Sequence, residues 1–241
     1  MSGILLVNVK AQVLGVSKGN VFEYNMVVHW SSSSESTPAT LLEVNKTKTL
    51  TVTVSQVSGS LISTKIFTTY QNETQTTADA SCNVATGEVT GLPFIGANLA
   101  KNDLVNPSAT EHWYINETVT RTYLNETRYT NHLMIEDTST SNDVGTIKNT
   151  YDYYFDKSTG VLVQYANEIS YGDTTEKTDS VLLASNVWQV SADPIQNQDN
   201  PTNSPTNSPT NSPTTLYIAV AVVAVLIAFI AIILVLRKKK K

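Results

Sequence analysis

Cysteine is almost missing from this chain. A single thiol, Cys82, excludes any disulfide within the 241 residues, so a buried core, with glycans where they are attached, must supply the stability that exported proteins often draw from disulfides. A lone cysteine of this kind reads as a small, partly buried residue. Histidine is scarce as well. His29, His112 and His132 stand in no ligand spacing, so neither a metal nor any other cofactor is expected. Positive charge is short where nucleic acid would need it. All 21 Asp and Glu but only 11 of the 16 Lys and Arg precede residue 216, a balance of −10, and a phosphate backbone requires the opposite sign. No amphipathic helical stretch of any clarity precedes residue 216, which leaves β structure as the expectation.

What the chain does have is one long apolar run. Leu216 to Leu236 contains no charge, and Arg237-Lys238-Lys239-Lys240-Lys241 follows at once. Twenty-one helical residues span about 31 Å, the thickness of a bilayer's hydrocarbon core. Such a segment satisfies its own backbone only as a helix, and the basic cluster holds residues 237–241 on the cytoplasmic side. The lipid bilayer is therefore the one partner expected with a defined contact, and everything before residue 216 is expected outside. Residues 197–215 form a stalk: Pro-Thr-Asn-Ser occurs three times from Pro201 and Pro-Thr-Thr completes it. Proline at every fourth position favours an extended chain roughly 45 Å long, and its hydroxyls suit O-glycosylation. At the other end, residues 1–11 hold the short apolar run Ile4-Leu5-Leu6-Val7 and then Val9-Lys10-Ala11. These read as the end of a signal peptide, with a small-residue cleavage site.

Residues 12–196 read as one β-rich domain. Phe22, Tyr24, Met26, Val28 and Trp30 alternate with polar neighbours, as do Leu50, Val52 and Val54, and then Trp113, Ile115, Val119 and Tyr123. A period of two marks half-buried strands, and abundant Thr, Val and Tyr agree with it. Asn83-Val84-Ala85-Thr86-Gly87 and Asp156-Lys157-Ser158-Thr159-Gly160 share one turn pattern. The Asx side chain bonds the turn backbone and glycine takes the left-handed conformation. Gly91 to Pro107 breaks the alternation. It reads as a plug over the core, with a lid over a ligand cavity as the second reading; Phe94, Ile95 and Leu99 would then line that pocket. Glu117 and Arg121 share the periodicity of Trp113 and Val119, so they either line a polar cavity or mark where the strand leaves the core, the latter being favoured.

Four N-glycosylation sequons are present, at Asn45, Asn72, Asn116 and Asn125, all with threonine. Asn72 and Asn125 fall at expected hairpin tips and Asn116 on a polar strand face. Two other patterns carry little. Gly15-Val16-Ser17-Lys18-Gly19 matches a nucleophile elbow but leads into a strand, not a helix, and reads as a turn. Asp137 to Asp143 is rich in oxygen ligands but lacks the glycine and distal glutamate of a calcium loop. No catalytic residue is assigned, and the chain reads as a non-enzyme.

Three stretches together, Gly19-Asn20-Val21-Phe22-Glu23-Tyr24, Trp113 to Thr118, and Tyr153 to Leu162, resemble a group of uncharacterised exported archaeal proteins. That resemblance covers residues 15 to 190 and the tail. It implies a signal peptide, a β-rich domain and one C-terminal membrane helix, and it transfers no site residue. The Asp-Lys-x-Thr-Gly turn is also similar to one in lipoprotein carriers built on a half-barrel sheet. The expected fold is all-β, an antiparallel meander forming a strongly curved sheet or half-barrel, with a β-sandwich as the alternative. The expected function is a membrane-anchored cell-surface glycoprotein with a non-enzymatic structural or binding ectodomain. Its partners beyond the membrane would be envelope proteins or an apolar ligand. A carrier of such a ligand is the second reading and an extracellular hydrolase the third.

Overall fold

The computed structural model describes residues 12–33, 39–141 and 145–188. The expected signal remnant, stalk, membrane helix and basic tail lie outside these residues, and among the described residues no helix is long and apolar enough to cross a membrane. What is described is all-β apart from one short helix, α1 (Ala39–Asn45). The strands are β1 (Val21–Tyr24), β2 (Val27–Ser31), β3 (Thr47–Ser58), β4 (Leu61–Tyr70), β5 (Gln75–Asn83), β6 (Glu88–Val89), β7 (Glu117–Tyr123), β8 (Glu126–Ser141), β9 (Gly145–Asp156), β10 (Leu162–Tyr171) and β11 (Thr174–Ser185).

They form a single antiparallel sheet, not closed, in the order β6-β5-β4-β3-β1-β11-β10-β9-β8-β7, with β2 also on β11. Two meanders, β3 to β6 and β7 to β11, are thus joined through β1. The alternation from Phe22 to Trp30 predicts one strand, whereas the chain makes two. At the break, the Asn25 backbone donates to the Val181 carbonyl, while the Asn25 side-chain oxygen accepts from the Val181 amide. The side chain takes a place in the ladder that a backbone carbonyl would hold, and the register on β11 shifts there. Tyr24 continues the buried row and its hydroxyl donates to the Leu162 carbonyl.

Successive residues of a strand face opposite sides, so the register assigns the two faces. On one face lie Phe22, Leu50, Val52, Val54, Ile62, Ile66, Leu133, Phe155 and Leu182, all buried in one cluster. The segment between β6 and β7 sits on this face. Leu92, Phe94, Ile95, Leu99 and Val105 belong to the same cluster, and the Phe94 ring meets Phe22 edge-on with centroids 6.1 Å apart. Burying a side chain of this size stabilises by about 1.5–3 kcal/mol, which is why so irregular a segment is held. It is a plug in the core.

The plug docks on the turn between β9 and β10. The Ile95 amide donates to the Gly160 carbonyl, and the Asn98 amide to the Lys157 carbonyl. Gly160 has a φ of +71°, and a Cβ there would stand 2.0 Å from the Ile95 carbonyl oxygen. Only glycine meets both demands. The Gly15 to Gly19 stretch is a turn that enters β1: the Asn20 side chain accepts from the Ser17 amide and Gly19 has a φ of +90°.

Candidate functional site

The face of the sheet away from the plug carries the polar chemistry. Its frame is the register of β7 to β10, which places Glu117, His132, Tyr154 and Gln164 in one row across four strands. His132 has a carboxylate oxygen against each ring nitrogen, Glu117 at 3.3 Å on Nδ1 and Asp152 at 2.7 Å on Nε2. Its ring stacks on Tyr154, centroids 4.5 Å apart and 5° from parallel. The Arg121 guanidinium lies 3.6 Å from the centre of the same tyrosine ring and donates to Gln164 Oε1 at 3.0 Å. Tyr123 donates its hydroxyl to that same oxygen. Burial pushes the Tyr123 and Tyr154 hydroxyls up, against the pull of Arg121.

A second group lies one step along. The Asp156 carboxylate is buried and accepts four hydrogen bonds: Arg128 Nε on one oxygen, and Ser158 Oγ, Thr159 N and Thr159 Oγ1 on the other. Burial works to raise this carboxyl, and the bonds from Arg128, Ser158 and Thr159 outweigh it, so it stands below the usual carboxylate range. Arg128 also reaches Glu126 at 3.0 Å and lies 4.3 Å from the centre of the buried Trp188 ring. Beside it is a hollow of about 310 Å³ between Asn98 of the plug, Thr127 to Tyr129 of β8 and Lys157 and Ser158 of the turn.

These residues answer the sequence expectations one by one. Phe94, Ile95 and Leu99 are packed in the core and do not line that hollow. Glu117 and Arg121 lie together, but on the opposite face from those three, and neither is buried. They are held by His132 and by Tyr154 with Gln164, which is how their charge is accommodated without a core position. Asp137 to Ser141 continue β8 to its end. Among the described residues no group of three or more His, Cys, Asp and Glu is placed to hold a metal ion. The sequence reading did not find the His132 row. Its signal was the period of two in β8 and β9, but the partnership depends on a hairpin register that the sequence pattern leaves open.

All four sequon asparagines are exposed. Asn45 ends α1 and Asn72 lies in the β4–β5 turn, its side-chain oxygen accepting from the Thr74 amide and hydroxyl. Asn125 occupies the β7–β8 turn, and Asn116 directly precedes β7, its side-chain oxygen accepting from the Met134 amide at 2.7 Å. No protein-family model matches this chain, and no curated protein matches its sequence.

Proposed function

We propose that this chain is a membrane-anchored cell-surface glycoprotein whose ectodomain has a structural or binding role and no catalysis. The observation that carries the reading is the placement of Asn45, Asn72, Asn116 and Asn125. Each stands exposed at a turn, a helix end or the sheet margin, where a bulky glycan meets no core. The apolar run Leu216 to Leu236 with its basic tail supplies the anchor and the outward topology. The proline-rich segment between them holds the domain off the bilayer. In this reading the open sheet is strongly curved, a half-barrel wrapped on its plug, and the face bearing His132, Tyr154 and Arg121 is the surface offered to an envelope partner. A carrier of apolar ligands ranks second, because Phe94, Ile95 and Leu99 are engaged in the core and do not line the hollow beside Arg128.

The test is protease treatment of intact cells that make the full chain. Cleavage in the stalk from outside, releasing the folded domain while the tail stays with the membrane, is the expected result. Protection until the cells are lysed would overturn the topology and the function with it.

A further inference from the structure

The path through the sheet ends on β6 and β7, and β7, with seven residues against two, is the more dangerous end. A long, regular edge strand is a template for pairing with another chain, and proteins blunt it with lysine, proline, bulges or a covering segment. Between Glu117 and Tyr123 the strand has no lysine and no proline, and its two charges, Glu117 and Arg121, cancel. Its pairing with β8 runs through all seven residues without a bulge. Among the described residues no strand lies on its outer side. Threonine, valine and tyrosine make up the rest, a composition suited to strand addition.

The register tells which atoms are offered. Leu124 and Asn125 form the two-residue β7–β8 turn, with φ of 52° and 64°, the left-handed pair of a type I′ hairpin. Tyr123 and Glu126 close it as a hydrogen-bonded pair. By the alternation of an antiparallel ladder, Thr118, Thr120 and Thr122 then turn their amides and carbonyls outward. A second copy pairing antiparallel about Thr120 would set Asn116 opposite Leu124 and Asn125 opposite Ile115. Both sequons that flank β7 would therefore lie inside such an interface, one at each end and from both copies.

We propose that glycans on Asn116 and Asn125 guard this edge, keeping β7 from adding to the β7 strand of a second copy. The proposal rests on the glycoprotein reading above and gives two of its four sites a task. Asn116 suits it: its side-chain oxygen is fixed on the β8 backbone, so the base of its glycan would stand beside the edge. Asn125 sits at the tip of the turn, where a glycan would cap the other end.

The experiment uses the full chain in detergent, made in a host that attaches N-glycans. Intact mass gives site occupancy and light scattering the mass of the assembly. Wild type is expected to be glycosylated and monomeric. The N116Q/N125Q variant is expected to lose two glycans and at least double its assembly mass. Adding T120P, which removes an outward amide, or T120K, which puts a charge on the edge if the proline disturbs folding, should return it to the monomer. Glycan mass lost from both sites with the variant still monomeric overturns the guard and leaves the glycoprotein reading standing. Wild type without glycan at any sequon overturns both. Assembly that neither T120P nor T120K reverses also overturns the guard, because the contact then lies elsewhere than β7.

Discussion

Replacing Gly160 with alanine tests the plug-and-turn arrangement most sharply. Two costs add. An L-residue at φ +71° is destabilised by about 1–2 kcal/mol. The new Cβ would also stand 2.0 Å from the Ile95 carbonyl oxygen, a backbone atom that accepts no overlap. Relieving it means moving the plug or the turn, at about 1–3 kcal/mol. The sum is about 2–5 kcal/mol, and for a domain of this size about 2–4 °C of Tm accompanies each kcal/mol. Gly160→Ala should therefore lower Tm by about 10 °C. Gly172→Ala is the matched control. Its φ is +55° and no atom stands within 4 Å of the new Cβ. The conformational cost is partly offset by the smaller entropy of the unfolded chain, which leaves about 1 kcal/mol. Thermal unfolding followed by tryptophan fluorescence reads both, since Trp188 is buried. If Gly160→Ala costs no more than Gly172→Ala, the plug does not bear on the turn and the packing argument fails.

Two more perturbations probe the buried chemistry. Asp156→Asn leaves Arg128 without its buried partner and should cost about 3 kcal/mol at neutral pH. Asp156 titrates lower in the folded chain than in the unfolded one, so its contribution is complete above about pH 4 and disappears as the pH falls through the folded value. Urea melts of wild type and variant from pH 6 downwards should thus converge in acid; a gap that stays constant would refute the assignment. Cys82 is buried, and burial pushes its thiol up to about 11. A chromogenic disulfide reagent at pH 8 should find no thiol in the folded chain and one in denaturant, whereas prompt reaction when folded would place Cys82 outside the core.

How far the sequence could be read depends on how local each feature is. The Asp156 to Gly160 turn was legible because its causes are adjacent in the chain: the Asx side chain bonds Ser158 and Thr159 and Gly160 takes positive φ. Leu50, Val52 and Val54 were legible for the same reason, since period two needs no knowledge of partners. The β1–β2 break was not, because it depends on Asn25 meeting Val181, a contact across most of the chain. Insertion of β1 between β3 and β11 has no local signature either. For Glu117 and Arg121 the period showed that they share a side of the strand, but His132, Tyr154 and Gln164 come to them only through the register of three hairpins. For Phe94, Ile95 and Leu99 the plug is the first reading and a pocket lid the second, and their burial in the core cluster with the Gly160 docking contacts decides for the plug.

Glycopeptide mapping of the full chain, extracted from its own membrane with detergent, tests most directly whether it works outside the cell as an anchored glycoprotein. Recovery in the membrane fraction, with glycan on Asn45, Asn72, Asn116 or Asn125, is the expected result. A chain found in the soluble fraction, with all four asparagines bare, would contradict it.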